Sequence, residues 1–249
     1  MNSPRFYCRE ALSPGAHVEL PEPVARHAVR VLRLPPGATM VLFDGRGGQY
    51  PATIERIERD RVYAELGAWE DVECESPLAI TLVQALQAGD KMDFTIQKAV
   101  ELGVRDIVPV DSRRSVLKLS GERAAKRVAH WQGVVASACE QCGRNQVPLV
   151  APLERLENWL ARPTQAPLRL MLAPDAEDTL LSIPPAKEVQ LLIGAEGGLD
   201  PQEMIAARQS GFRAVRMGPR VLRTETAGLA ALAVLQALWG DLREGSVSP

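Results

Sequence analysis

A segment near the C-terminus, from Met217 to Ala227, combines a Gly-Pro turn, two arginines and a Thr-Glu-Thr helix start. Arginine and glutamate are side chains with which proteins stabilise developing charge and move protons. Arg223 and Glu225 are therefore the candidate chemical groups of the chain. Glu225 also has a purely structural interpretation, because a carboxylate in the first turn of a helix is favoured by the helix dipole.

A second segment, rich in glycine, follows the apolar run Val189 to Ile193. Gly194, Gly197 and Gly198 allow the backbone to approach a ligand closely or to adopt positive φ angles. From the glycines alone, a tight turn is the commoner explanation. The pattern does not match the dinucleotide-binding fingerprint and lacks the lysine of a phosphate-binding loop, which disfavours nucleoside triphosphate chemistry.

The elements that must position these segments alternate between strands and helices from Leu78 onward. Such alternation predicts an α/β domain with a mostly parallel sheet, in which ligands gather at the carboxyl ends of the strands. The predicted strands are 80–85, 106–110, 168–172, 189–193 and 212–217.

Two helix starts are predicted from capping residues. Asp90 is expected to cap a helix with Met92 and Ile96 in its buried stripe. Asp200 and Glu203 have the spacing of a capping box, which places the glycine segment in the loop before that helix.

Residues 1–75 contain short apolar runs separated by Pro-Gly, Asp-Gly and Gly-Gly signals, a pattern that predicts a small β-barrel. One helix, from Pro23 to about Leu32, is expected to bury Val24, His27, Ala28, Val31 and Leu32 on one side. The acidic segment 70–77 is the expected linker, so the predicted domains are 1–75 and 76–249.

Composition narrows the class of protein. The 249 residues are 46% hydrophobic and 24% charged, with a net charge of -2, as in an ordinary globular protein. Residues 1–46 nevertheless carry six arginines against four acidic residues, and residues 105–127 carry seven basic residues against three. Local excesses of this kind suggest an anionic partner, although a solvated face is the commoner explanation of any single run.

Other sequence signals give expectations about location and metals. We expect a cytoplasmic protein without a membrane anchor, because no apolar run approaches the roughly 20 residues needed to span a bilayer. Cys139 and Cys142 have CxxC spacing, but no second pair or suitable histidine completes a zinc site, and no metal is predicted.

The run from Ala227 to Trp239 predicts a helix that is apolar nearly all round. Such a helix must be covered on more than one side. Its small residues would let a second copy of the chain approach closely, so a homodimer packed through this helix is expected, with complete burial inside one subunit as the alternative.

Six motifs together resemble the SPOUT class of RNA methyltransferases with a trefoil knot. Within that class, the chain is similar to the bacterial 16S ribosomal RNA uridine N3-methyltransferase family over essentially its whole length. The motifs are His27 to Leu34, Gln84 to Gly103, Arg113 to Lys118, Glu140 to Arg144, Ile193 to Gly198 and Gly218 to Ala227.

The resemblance implies an N-terminal PUA-like barrel that helps to hold RNA and a C-terminal SPOUT α/β domain with a deep knot that binds S-adenosylmethionine. It also implies a homodimer with each cofactor site near the subunit interface. One departure is Ala195, where the family usually has proline. The implied cofactor-binding residues are Leu172, Ala173, Ile193, Gly194, Glu196, Gly197, Met217, Gly218, Val221, Leu222, Thr226 and Ala227.

For this reaction, Arg223 is expected to stabilise negative charge on the uracil oxygens, and Glu225 to accept the N3 proton. The expected partner is 16S rRNA in the small ribosomal subunit. The alternatives are a SPOUT methyltransferase acting on tRNA or large-subunit rRNA, and a non-catalytic RNA-binding assembly factor. RNA contacts are expected from Arg5, Arg9, Arg26, Arg30, Arg33, Arg113, Arg114 and Lys118.

Overall fold

The computed structural model describes residues 3–163 and 168–242. The chain divides into two compact units. The first comprises Met1–Glu75 and Ala136–Val147, and the second comprises Ser76–Val135 and Pro148–Pro249. The segment Ala136–Val147, which the sequence interpretation placed in the C-terminal domain, thus packs with the N-terminal residues.

The first unit contains a five-stranded sheet in the order β1-β3-β4-β5-β2. Strands β1 and β3 are parallel, and the other neighbours are antiparallel. Alternate residues of β4 and β5 are buried because successive side chains point to opposite faces of a strand. The strands are β1 (Arg5–Tyr7), β2 (His17–Glu19), β3 (Thr39–Phe43), β4 (Tyr50–Glu58) and β5 (Arg61–Leu66).

The helix of this unit differs from its prediction. Helix α1 (Glu22–Arg26) continues into a π-helical turn, His27–Val31. A π-helix advances more residues per turn than an α-helix, so the apolar positions rotate away from the core. Val24 and Ala28 are buried as expected, but His27, Val31 and Leu32 are exposed.

The acidic segment expected to be a linker is tied into the first unit as far as Glu75. Glu70 and Gln49 exchange backbone hydrogen bonds of 2.8 and 3.0 Å. The Glu75 carboxylate forms a bidentate pair with Arg144, whose side chain is buried. Buried arginine pairs of this kind fix geometry, so the last residues before Ser76 are held in place.

The second unit contains a parallel sheet in the order β12-β10-β11-β6-β7-β8, with β9 pairing with β7. All its pairings are parallel, which confirms the predicted α/β class. Strand β6 is buried over nearly its whole length, as expected for a central strand covered on both faces. The strands are β6 (Ala79–Ala85), β7 (Asp106–Asp111), β8 (Leu149–Val150), β9 (Glu154–Arg155), β10 (Leu168–Leu172), β11 (Glu188–Ile193) and β12 (Arg213–Val215).

The remaining helices are α2 (Lys91–Glu101), α3 (Gly121–Cys142), α4 (Leu156–Leu160), α5 (Pro201–Gln209) and α6 (Thr224–Trp239), with a 3-10 turn at Leu180–Ser182. The capping box of α5 is confirmed, because Asp200 accepts from the backbone and Glu203 accepts from the Asp200 N–H. Asp90 precedes α2 as predicted, but its side chain makes no capping hydrogen bond.

The final helix is mostly apolar after its first turn, yet the described chain buries one face of it. Gly228, Leu232 and Leu235 are buried, whereas the face that includes Ala233 and Val234 is half-buried. Complete burial of α6 inside one chain is therefore not what the structure shows.

Cys8, Cys74, Cys139 and Cys142 form no disulfide among the described residues, and Cys8 and Cys139 are buried. Over residues 3–163 and 168–242, no helix is both long enough and apolar enough to cross a membrane.

Candidate functional site

A cavity of about 380 Å³ opens at the carboxyl ends of β10, β11 and β12. Because the three strands are parallel neighbours, their following loops meet at one edge of the sheet. The volume lies within the range of small-molecule pockets. The lining includes residues 172–175, 193–199, 215–218 and 220–222, together with Arg114, Met204, Thr224 and Ala227.

The glycine loop owes its shape to a tight turn. The Gly198 N–H donates to the Ala195 carbonyl at 2.8 Å, and Gly198 has a φ of 73°. A Cβ on Gly194 would lie 2.7 Å from the Gly198 carbonyl carbon and 2.8 Å from the Leu199 nitrogen. A side chain at residue 194 therefore has no room, because both neighbouring atoms belong to the backbone.

A buried hydroxyl joins this loop to the start of α6. Thr224 Oγ1 donates to the Gly194 carbonyl at 2.6 Å and accepts from Gln84 Nε2 at 3.1 Å and Gln87 Nε2 at 3.3 Å. One donated and two accepted bonds use the full capacity of a hydroxyl. Thr95 Oγ1 completes the group by donating to Gln87 Oε1 at 2.9 Å.

Gln84 Oε1 is buried without a hydrogen-bond partner among the described residues. Burying an unpaired amide oxygen costs about 1–3 kcal/mol. Gln84 is nevertheless 0% exposed and donates to both Thr224 and the Ala85 carbonyl. The strand end thus keeps a buried amide with one unpaired oxygen, and its nitrogen connects the strand to Thr224 at the start of α6.

Two further contacts hold the glycine loop from the loops after β6 and β7. Glu196 Oε1 accepts from the Ala88 N–H at 3.0 Å. Arg114 Nη1 donates to the Gly197 carbonyl at 2.8 Å. The loop is therefore fixed from three directions when the contact with Thr224 is included, as a preorganised binding site requires.

The cavity brings together nearly all the residues expected at the cofactor site. Thr226 is the exception, since it is exposed and outside the lining, whereas Thr224 lines the cavity in its place. Residues that line it as expected are Leu172, Ala173, Ile193, Gly194, Glu196, Gly197, Met217, Gly218, Val221, Leu222 and Ala227.

The two candidate chemical groups stand beside the cavity and not in its lining. Arg223 is exposed at the N-cap of α6. Glu225 Oε1 lies 3.6 Å from Lys91 Nζ, and Glu225 Oε2 is buried without a hydrogen-bond partner in the described part of the chain.

Several arginines expected to contact RNA are occupied by the protein itself. Arg5 donates to Gln49 and Asn145 at 2.6 Å each. Arg113 pairs with Glu157 at 2.7 Å and with Asp200 at 3.4 Å, and its guanidinium lowers the pKa of Glu157.

Other basic side chains expected to contact RNA either pair with an acidic residue or are free. Lys118 pairs with Asp111 at 2.7 Å, and Arg30 pairs with Asp60. Arg9, Arg26 and Arg33 are exposed, and their side chains form no hydrogen bond or ion pair with the described residues. Of the basic residues expected to contact RNA, the three that are free therefore lie in the first unit.

Sequence reasoning did not identify Gln84, Gln87, Thr95 or Thr224 as site residues. The sequence contained two hints of their role. Gln84 lies near the end of the apolar strand β6 and Gln87 follows that strand, and Thr224 directly precedes Glu225. A polar amide at the end of a buried strand must find a partner, but the sequence does not say which one. Residues 3–163 and 168–242 contain no group of three or more side chains suited to holding a metal ion.

The family models match both parts of the chain. An RNA methyltransferase domain matches residues 74–236, and an RNA methyltransferase PUA domain matches residues 20–67. The ribosomal RNA small subunit methyltransferase E of Buchnera aphidicola (Schizaphis graminum) is 33% identical, covering 96% of this chain and 98% of its own.

Two solved structures resemble the fold closely. A ribosomal RNA small subunit methyltransferase E from Neisseria gonorrhoeae, bound to S-adenosyl methionine, is 44% identical with a TM-score of 0.90, covering 97% of this chain and 100% of its own. A Legionella pneumophila methyltransferase with bound SAM is 37% identical with a TM-score of 0.93 at the same coverages. From these matches and the shared architecture, the chain belongs to the RNA methyltransferase family.

Proposed function

We propose that this protein is an S-adenosylmethionine-dependent methyltransferase that methylates N3 of a uridine in the 16S rRNA of the small ribosomal subunit. The observation that carries the proposal is the three-loop cavity at the ends of β10, β11 and β12. Two relatives solved with bound SAM align with 97% of this chain.

The cavity suits the adenosine part of this cofactor. Its walls include the apolar side chains of Leu172, Ile193 and Leu222. Between them, the glycine loop presents backbone groups without side chains in the way, and backbone N–H and C=O groups can recognise an adenine edge. When bound, S-adenosylmethionine supplies an electrophilic methyl group.

The proposal includes a trefoil knot through the residues that form the cavity. Its support is the meeting of three consecutive strand-end loops, with Thr224 hydrogen-bonded to Gly194. Knots are rare in proteins, and this one rests on the family resemblance.

Methylation at N3 requires the uracil imide to lose its proton as nitrogen forms the new bond to carbon. In our proposal, Glu225 Oε2 accepts that proton, since this oxygen has no hydrogen-bond donor among the described residues. Arg223, exposed and unpaired at the helix start, stabilises the negative charge that develops on the uracil oxygens.

Single-turnover methylation tests these two roles. We expect Arg223→Ala and Glu225→Gln to lower the rate by roughly 100-fold or more while S-adenosylmethionine affinity stays near the wild-type value, because neither side chain lines the cavity. Wild-type rates in both variants would remove the two residues from the mechanism.

RNA binding is proposed through the free arginines of the first unit, Arg9, Arg26 and Arg33. Each phosphate contact contributes about 0.7 to 0.9 to the slope of log affinity against log salt. Replacing all three by alanine should therefore flatten the slope by about 2. Arg105→Ala is the matched control, since Arg105 is paired with Glu188 at 2.8 Å. An unchanged slope in the triple variant would contradict the assignment.

The RNA substrate can be identified by locating the methylated nucleotide. Ribosomal RNA from cells that lack the protein should lose one N3-methyluridine from 16S rRNA, and adding the protein back should restore it, as measured by mass spectrometry. A methyl group restored instead to tRNA or large-subunit rRNA would redirect the enzyme to that substrate. Failure to bind S-adenosylmethionine would identify an assembly factor.

We also propose that the protein works in the cytoplasm, with its ribosomal substrate, as a homodimer packed through α6. The support for the dimer is the half-buried apolar face of that helix, which includes Leu229, Ala233 and Val234. Apolar surface left uncovered by one chain gains free energy when a second copy covers it.

A further inference from the structure

Arg114 lies in the wall of the cavity. Its guanidinium donates to the Gly197 carbonyl at 2.8 Å. A Cβ built on Gly197 would be 3.4 Å from both Cβ and Cδ of Arg114, so the arginine stem packs directly over this glycine. The side chain is thus held in place along its stem and at its charged end.

This hydrogen bond leaves most of the guanidinium unsatisfied, because arginine carries five N–H donors. No carboxylate of the described residues pairs with Arg114, whereas its neighbour Arg113 is paired with Glu157 and Asp200. A fixed guanidinium without a carboxylate partner, facing a cavity, is suited to binding an anion. Its planar set of donors matches a carboxylate best.

Two other arginines line the same cavity, Arg216 and Arg220. Both are exposed, and neither side chain makes a hydrogen bond with the described residues. Binding through either would require ordering a free side chain, which costs about 0.5–1.5 kcal/mol. Arg114 is already held by its hydrogen bond to Gly197, so binding an anion through Arg114 costs less side-chain entropy than binding it through either of the other two.

We propose that Arg114 binds the carboxylate at the amino-acid end of S-adenosylmethionine and so orients the tail of the cofactor where the cavity opens to solvent. This inference rests on the proposed function and assigns to Arg114 a role different from the RNA contact expected from the sequence. The same arginine links the loop after β7 to the glycine loop, so cofactor binding would also strengthen that connection.

Decarboxylated S-adenosylmethionine is the matched probe, because it keeps the adenosine, the sulfonium and the amine and lacks only the carboxylate. Calorimetric titration of the wild-type protein with both compounds, without RNA, gives the preference for the carboxylate. We expect Arg114→Ala to weaken S-adenosylmethionine binding on the order of 10- to 100-fold and to leave binding of the decarboxylated probe within about twofold. Arg113→Ala should keep the wild-type preference, which controls for the loss of a positive charge nearby.

Equal weakening of both compounds by Arg114→Ala would overturn the inference, since Arg114 would then only support the Gly197 loop. Unchanged affinity for S-adenosylmethionine together with weaker rRNA binding would also overturn it and make Arg114 a phosphate contact. Retained binding of the decarboxylated probe shows that the variant is folded. If the wild-type protein bound neither compound, the proposed function itself would fail, an outcome already visible before any variant is measured.

Discussion

At the scale of single residues, the site depends on positions where no side chain fits. At Gly194, a Cβ would meet two backbone atoms within 2.8 Å. Backbone cannot move aside as a flexible side chain can, so even the smallest substitution must displace the loop. Ala195 beside it is buried and accepts the hydrogen bond that closes the turn, so the turn forms here without the proline that the family usually has.

Gly194→Ala should therefore abolish measurable S-adenosylmethionine binding and destabilise the fold by roughly 1–3 kcal/mol, the usual cost of overpacking. Calorimetry and chemical denaturation measure the two effects. Gly133→Ala is the control, because Gly133 lies within α3 with nothing within 4 Å of its added Cβ. It should gain about 0.5–1 kcal/mol of stability and bind normally. Normal binding by Gly194→Ala would contradict the crowding argument.

The cysteines give a second test at this scale. Burial raises the pKa of Cys8 and Cys139 to about 12, so their thiols stay protonated and inaccessible at neutral pH. Cys74 is exposed. With a thiol reagent such as Ellman's reagent, we expect a fast reaction in the native protein that disappears in Cys74→Ser and a slower reaction of the half-buried Cys142, while Cys8 and Cys139 react only in denaturant. Fast reaction of either buried thiol in the native protein would contradict the burial.

At the scale of elements, the loop after β11 and the start of α6 form one unit through Thr224. Its hydroxyl connects the Gly194 carbonyl with the amides of Gln84 and Gln87. Removing the hydroxyl would leave the Gly194 carbonyl and the two glutamine amides without this partner. A buried polar group that has lost its partner costs more free energy than an apolar group at the same position. The network also explains why two glutamines are tolerated at 0% exposure at the end of an apolar strand.

Thr224→Val should lower the free energy of unfolding by about 1–3 kcal/mol and S-adenosylmethionine affinity by about tenfold or more, whereas Thr224→Ser should keep both near wild type. Thr226→Val is the control, since Thr226 is exposed outside the lining. Denaturation and calorimetry separate the two effects. Wild-type stability and affinity in Thr224→Val would contradict the role assigned to the hydroxyl.

Local sequence patterns predicted the helices and strands better than the contacts between them. Five strands of the second unit, the capping box at Asp200 and the loop at Gly194 could be recognised from spacing, because each depends on neighbours in sequence. The two-residue strands β8 and β9 were not predicted, since they are too short to give a pattern. The π-helical turn at His27–Val31 could not, since α- and π-helical segments share the same apolar residues. The contact between Gln84 and Thr224 spans 140 residues, and no periodicity reports a pairing over that distance.

At the scale of the whole molecule, α6 carries more apolar surface than one chain covers. A glutamate on its half-buried face would place a charge inside the proposed dimer, and an unpaired buried charge is strongly unfavourable. Val234→Glu should therefore shift the protein towards monomers, as measured by sedimentation velocity. Ala125→Glu, at an exposed position of α3, should not. A folded Val234→Glu variant that stays fully dimeric would contradict packing through this face.

The position of the cavity residues in the chain has a consequence for biosynthesis. Strand β12 and Thr224 are made after β10 and β11. Yet β12 pairs with β10, and Thr224 is hydrogen-bonded to Gly194 in the loop after β11. A nascent chain that has not reached Thr224 has no enclosed cavity, however complete its central strands are. Cofactor binding can therefore begin only after translation has passed Thr224, so it reports that the chain has been made as far as the start of α6.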